Sequence, residues 1–373
     1  MKRTTWILAA AAVGALEPLA SAVEPADAAA GEERADVALE ERAAGAAPER
    51  LGDTGLYADA ASRTLHPDVV TFVPQYPLWS DGAAKRRFLR LPKGASIDAS
   101  DPDHWVFPVG TKLWKEFSFG RRVETRYMER LADGSWRFDA YVWSEDGTDA
   151  VRMPEGGVRG AVEIRPGLRH DVPGVLDCKA CHEGPRSPVL GVTALQLSPD
   201  RDPNAPHAEP LQPGDVDLPE LVGRGLVRGL PAELLASPPR IPARTPRERA
   251  VLGYLAANCA GCHSAKGPLA SLGMFLEQGA RSGSAGGPLP TAVGAPSEFR
   301  PPGSGPTPLR IDPGAPGASV LLRRMASRSP LVQMPPLGTH AVDEEAVALV
   351  RAWIEDLSRE PTKRSNPRVA VTR

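Results

Sequence analysis

The sequence predicts a multidomain α+β protein in which a β-rich N-terminal domain is followed by a mainly α-helical portion. Three observations predict it. Between Leu51 and Arg165 apolar and polar residues alternate with the period of two that belongs to strands. After Pro173 the pattern changes to capped helices, the last of them amphipathic, separated by connections rich in proline and glycine. The chain also has 373 residues, enough for two or three domains that each bury a core.

The elements follow in order. Lys2 and Arg3 make a basic start, Trp6 to Leu16 an apolar run, and Ala20-Ser21-Ala22 a small-residue cleavage site. This is the layout of a secretory signal peptide over residues 1–22. The run is too short for a hydrocarbon core of about 30 Å, which takes about 20 residues. The expectation is therefore a periplasmic or secreted protein with no membrane insertion after signal removal. Residues 23–48, rich in Ala, Glu and Arg, read as a disordered linker.

Residues 49–165 read as the β-rich domain. Trp136, Phe138, Ala140 and Val142 alternate with Arg137, Asp139, Tyr141 and Trp143, while Val123, Thr125 and Tyr127 alternate with charged partners. With Asp133-Gly134 as the turn, 122–143 is a hairpin. Leu113, Phe117 and Phe119 give a neighbouring strand, and Trp79, Trp105, Trp114, Trp136 and Trp143 provide the core. The charge group Asp81, Lys85, Arg86 and Arg87 reads as a solvated face rather than a substrate site.

The helical portion divides into 166–244 and 245–360, with a basic tail at 361–373. Thr245-Pro246-Arg247-Glu248 is a capping box with proline at the first helical position. Asp343 caps a second helix with an apolar stripe of Val347, Val350, Trp353, Ile354 and Leu357. The 40 prolines and 36 glycines call for long irregular connections, above all over 264–319. A formal net charge of -2 argues for neither a nucleic-acid nor an anionic-membrane partner.

All four cysteines fall into two C-x-x-C pairs, each followed by histidine: Cys178, Cys181, His182 and Cys259, Cys262, His263. In an exported chain four cysteines would ordinarily form disulfides, and a four-cysteine zinc site is a second alternative. Zinc pairs usually lie about 15–20 residues apart, far closer than these, and zinc gives no reason for the two histidines. A thioredoxin-type pair would sit where a strand enters a helix, whereas Cys259 follows a helix. C-x-x-C-H is the attachment signature of c-type haem. One helical turn presents both sulfurs to the vinyl groups of one porphyrin edge, and the histidine then lies under the iron. The expected cofactors are two covalently bound haem c groups, held by Cys178, Cys181, Cys259 and Cys262, with His182 and His263 on the irons.

Met334, in Gln333-Met334-Pro335-Pro336, is the expected sixth ligand of the second iron, because the prolines stiffen the loop that would carry its sulfur. Met325 competes but shares helical spacing with Leu321 and Leu322 and reads as core. The first haem has no local methionine loop, and its candidates are His170, Met153, Met128, His104 and Met274.

Residues 245–357 resemble a single-haem cytochrome c domain of the His/Met class, which implies that the chain ends in a cytochrome c fold. Three upstream stretches resemble the N-terminal part of a group of bacterial two-haem cytochromes. They are Tyr76-Pro77-Leu78-Trp79-Ser80-Asp81-Gly82, Phe107-Pro108-Val109-Gly110-Thr111 and Tyr141-Val142-Trp143. The implied function is one-electron transfer between redox partner proteins. The alternative is a peroxidase-like di-haem oxidoreductase with a five-coordinate first haem.

Overall fold

The computed structural model describes residues 45–183, 187–280 and 289–357. The signal peptide, the tail and all but the end of the linker lie outside the described residues. The chain divides after Ala47, and the residues from Pro48 on form one compact unit.

Strands β1 (Tyr57–Asp59) and β2 (Thr64–Leu65) make a small antiparallel pair, and β3 (Val69–Thr71) and β4 (Ala84–Arg90) begin the main sheet. After the brief β5 (Ile97–Asp98), the sheet continues with β6 (Lys112–Phe119), β7 (Arg121–Arg130), β8 (Trp136–Trp143) and β9 (Ala150–Arg152). The order is β3-β4-β6-β7-β8-β9, antiparallel throughout. The β7–β8 hairpin forms where alternation and Asp133-Gly134 put it, with Gly134 at φ +84°.

Alternation sorts the side chains of this sheet by face. One face carries Leu89, Leu113, Met128 and Phe138 side by side, and next to them Arg87, Lys115, Arg126 and Ala140. The other carries Phe88, Trp114 and Tyr127, closed by the segment around Leu51 and Leu56. There the Trp114 indole donates to Thr54 Oγ1 at 2.9 Å. The charge group read as a solvated face is split by the same alternation: Arg86 is exposed, whereas Asp81, Lys85 and Arg87 are buried.

A hairpin of β10 (Val158–Arg165) and β11 (Leu168–Val172) follows and leads into α1 (Val175–His182). Then come α2 (Leu218–Gly223), β12 (Val227–Arg228), which pairs in parallel with β5, and α3 (Glu233–Ala236). Four helices complete the described chain: α4 (Pro246–Asn258), α5 (Leu289–Ala292), α6 (Val320–Met325) and α7 (Glu344–Asp356). Thr245 Oγ1 caps α4 by accepting from Glu248 N at 3.1 Å, and Asp343 caps α7 by accepting from Ala346 N at 3.1 Å.

The fold class expected from the sequence is overturned. The molecule is β-rich and dominated by the six-stranded sheet, and its second part is not a mainly helical two-haem portion ending in a cytochrome c fold. Among the described residues only α4 and α7 reach 13 residues. The physical reason is the prolines and glycines, which stop helices before they gain the length that offsets nucleation. Between Ser187 and Asp217 no helix or strand forms among the described residues.

Two clusters of buried apolar side chains hold the unit together. The larger joins Val70, Leu89, Trp105, Phe107 and Leu113 to Val192, Leu195, Leu218, Leu221 and Leu252, so strands and later loops share one interior. The smaller joins Val251 and Leu255 of α4 to Leu322, Met325, Val347, Val350, Trp353 and Ile354. Each such side chain, fully buried, contributes about 1.5–3 kcal/mol. No helix among the described residues is long and apolar enough to cross a membrane.

Candidate cofactor-binding site

The first motif lies on α1, and two glycines seat that helix against the sheet. A Cβ on Gly157 would stand 2.4 Å from Gly174 N, and one on Gly174 would stand 2.5 Å from Glu155 O. Only paired glycines allow this approach. Asp177 fixes the first turn: it accepts from Gly174 N at 3.1 Å and from Arg159 Nη2 at 3.1 Å. Cys178, Cys181 and His182 then occupy i, i+3 and i+4, a single helix face.

The His182 ring rests 5.3 Å from the Phe138 ring of β8, centroid to centroid. Its Nδ1 stands 2.6 Å from the Pro188 carbonyl oxygen. A carbonyl only accepts, so Nδ1 carries the proton and Nε2 keeps its lone pair. Burial holds the ring neutral and depresses its pKa to about 4, against the pull of the Pro188 bond. This is the tautomer and charge state a metal-ligating imidazole needs.

The second motif leaves the end of α4. Cys259 caps the helix, and the amides of Cys262 and His263 donate back to its carbonyl at 3.2 and 2.9 Å. His263 is buried and held neutral by burial, with Arg324 and Arg310 adding to the effect. Its Nδ1 has no hydrogen-bond partner among the described residues.

A strap formed by Tyr76 to Gly82 holds this second motif in place. Trp79 N donates to Asn258 Oδ1 at 2.8 Å, next to Cys259. Asp81 Oδ1 accepts from the amides of His340 and Ala341, both at 2.8 Å. The Tyr76 ring lies flush on α4, where a Cβ on Gly253 would stand 2.0 Å from Tyr76 Cε1. The strap thereby ties the helix before Cys259 to the loop after Met334.

Both motifs open onto one cavity of about 800 Å³. Met334, Met325, Met274, Met128, His104 and His170 also line it, whereas Met153 does not. Met325 packs in the smaller core, and Met334 is half-buried. His170 is a buried strand residue whose Nε2 stands 2.9 Å from Glu124 Oε1, so that nitrogen is already engaged.

None of the four cysteines forms a disulfide. Burial pushes the Cys178 thiol up to about 11 and the Cys259 thiol up to about 12. These are protonated side chains at neutral pH, unlike the low-pKa thiolates of disulfide exchange. Burial also raises the Cys181 thiol, with Cys262 adding to the effect. Among the described residues no three His, Cys, Asp or Glu side chains converge as a metal-ion site, so the cysteines do not form a tetrahedral set.

Sequence reasoning missed the charged wall of the cavity, to which Arg87, Lys115 and Arg126 contribute. These residues are remote in sequence and meet only through strand register. Compared with family models, curated proteins and solved structures, the chain matches none.

Proposed function

We propose that this chain is an exported c-type cytochrome with two covalently attached haem c groups, and that it passes single electrons between redox partner proteins. One observation carries the reading. Both C-x-x-C-H motifs, with neutral imidazoles, open onto a single cavity that a half-buried methionine also lines.

The donor set suits the group. Cys178, Cys181, Cys259 and Cys262 would hold the two groups through thioethers, each formed by addition of an S–H across a vinyl C=C with no net oxidation or reduction. His182 offers Nε2 while Pro188 holds its other nitrogen, and His263 offers an imidazole that burial keeps neutral. Met334 is the proposed sixth ligand on the second iron, and a thioether there favours Fe(II) and raises the potential. Leu113, Met128 and Phe138 make the wall beside the first motif apolar. When bound, haem supplies a one-electron iron couple, and the chain sets its potential through ligands and burial.

Mass spectrometry of the exported protein tests this. The expected result is two haem additions on a chain lacking residues 1–22, with the colour retained through acid–acetone extraction. Met334→Ala abolishes the weak far-red charge-transfer band and lowers the potential of one haem. Free thiols at either motif in the mature protein would sink the reading. A high-spin haem that binds cyanide rapidly and turns over peroxide would replace the carrier by the di-haem oxidoreductase.

A further inference from the structure

Across strands β4, β6 and β7, Arg87 lies opposite Lys115, and Lys115 lies opposite Arg126. Like charges placed directly opposite one another destabilise a sheet, so such a row needs anions to meet it. Two carboxylates do so. Glu209 pairs with Arg87, and Glu124 pairs with Arg126 through Nε at 3.0 Å and Nη2 at 2.6 Å. Three cations thus face two carboxylates. The Lys115 side chain, in the middle, makes no hydrogen bond or ion pair among the described residues and lies over the Phe117 ring, 5.1 Å from its centroid. Arg87 is only 6% exposed, yet its Nη2 is without a partner.

All three side chains line the cavity. On the same face, one row along, stand the apolar Leu113, Met128 and Phe138, and Phe138 touches His182. The sheet face therefore grades from an apolar row beside the histidine to a cationic row with spare donors. That gradient matches a flat apolar molecule bearing carboxylates on one edge. The contact between Phe138 and His182, 5.3 Å between ring centroids, assigns the row to the first motif.

We propose that Arg87, Lys115 and Arg126 bind the propionate carboxylates of the haem attached at Cys178 and Cys181, with Lys115 and the open Nη2 of Arg87 as the principal donors. This rests on the two-haem reading above. Charge-assisted hydrogen bonds to carboxylate are the strong ones, and arginine donates in a planar fork. A propionate between Lys115 and Arg87 also relieves the repulsion within the row.

The test uses the full exported protein and its variants Lys115→Met and Arg87→Gln, with Arg86→Gln on the opposite face of β4 as the control for charge loss. Resonance Raman spectra report the propionate-bending modes, redox titration gives the two potentials, and mass spectrometry counts the haems. We expect two haems in every protein. In Lys115→Met and Arg87→Gln one haem's propionate mode shifts and its potential falls, because a cation that favours the reduced state is lost. Arg86→Gln behaves as wild type. Lys115→Met keeps the test alive if Arg87→Gln, which strands Glu209, fails to fold. Two attached haems with unchanged propionate modes would overturn the assignment alone, whereas a wild-type protein without haem would overturn the two-haem reading and this inference with it. A Lys115-dependent signal that inorganic phosphate displaces in the wild-type protein would reveal an open anion site instead, and would equally overturn it.

Discussion

Burial holds both motif histidines neutral, but only His182 has its tautomer fixed by a carbonyl. His207 is the opposite case. Burial works against its charged form, yet the Asp343 carboxylate, 2.8 Å from Nε2, and Glu345, 3.4 Å from Nδ1, raise its pKa above the ordinary value, with Lys85 opposing. A raised folded pKa contributes stability that is complete below the unfolded value of about 6.5 and disappears as pH rises through the folded one. Urea titrations of wild type and His207→Gln should therefore differ most in mildly acidic buffer and converge above the folded pKa. A difference that grows with rising pH would show the linkage to be wrong. At this scale the cysteines and their histidines were legible because fixed spacing is itself chemistry. Lys115 was not, since nothing local to it says that Arg87 and Arg126 are its neighbours.

Elements were legible wherever one segment carries its own boundary signals. The β7–β8 hairpin has its turn dipeptide, α4 its Thr245 cap, and α7 its Asp343 cap with Val347, Val350, Trp353 and Ile354 buried. The β10–β11 hairpin straddles the boundary drawn at 165 and was missed, although Pro166-Gly167 is a turn signal and Gly167 has φ +75°. Helix α4 supplies a prediction about packing against propensity. Alanine is favoured over glycine inside a helix by about 1 kcal/mol. At Gly253 the added Cβ would run into the Tyr76 ring, and overpacking costs about 1–3 kcal/mol. Gly253→Ala should lower the denaturant midpoint despite its better propensity. A raised midpoint would mean that the strap does not lie on the helix as described.

At the scale of the molecule, the sequence suggested helical modules because its two long helices are capped and the second is amphipathic. What it could not display is the larger core, in which Leu89, Trp105 and Leu113 meet Leu195, Leu218 and Leu252. Long-range burial of this kind leaves no periodicity to read. It makes a strong prediction: deleting residues 49–165 removes the strand half of that interior. The remainder should be soluble poorly or not at all and be digested quickly in limited proteolysis. A protease-resistant remainder with a sharp thermal transition would contradict the shared core.

The cavity wall runs in sequence from Phe72 to Val347. Its closure needs contacts between segments remote along the chain, and such contacts form late because their loop entropy comes first. Covalent attachment needs reachable thiols, and these four line the cavity and are half-buried once the walls have met. On the two-haem reading, the order of events is thereby set in time: translocation, then four thioether bonds on an open chain, then closure. Folding would act as the seal on a finished attachment rather than as the maker of a pocket that waits for its guest.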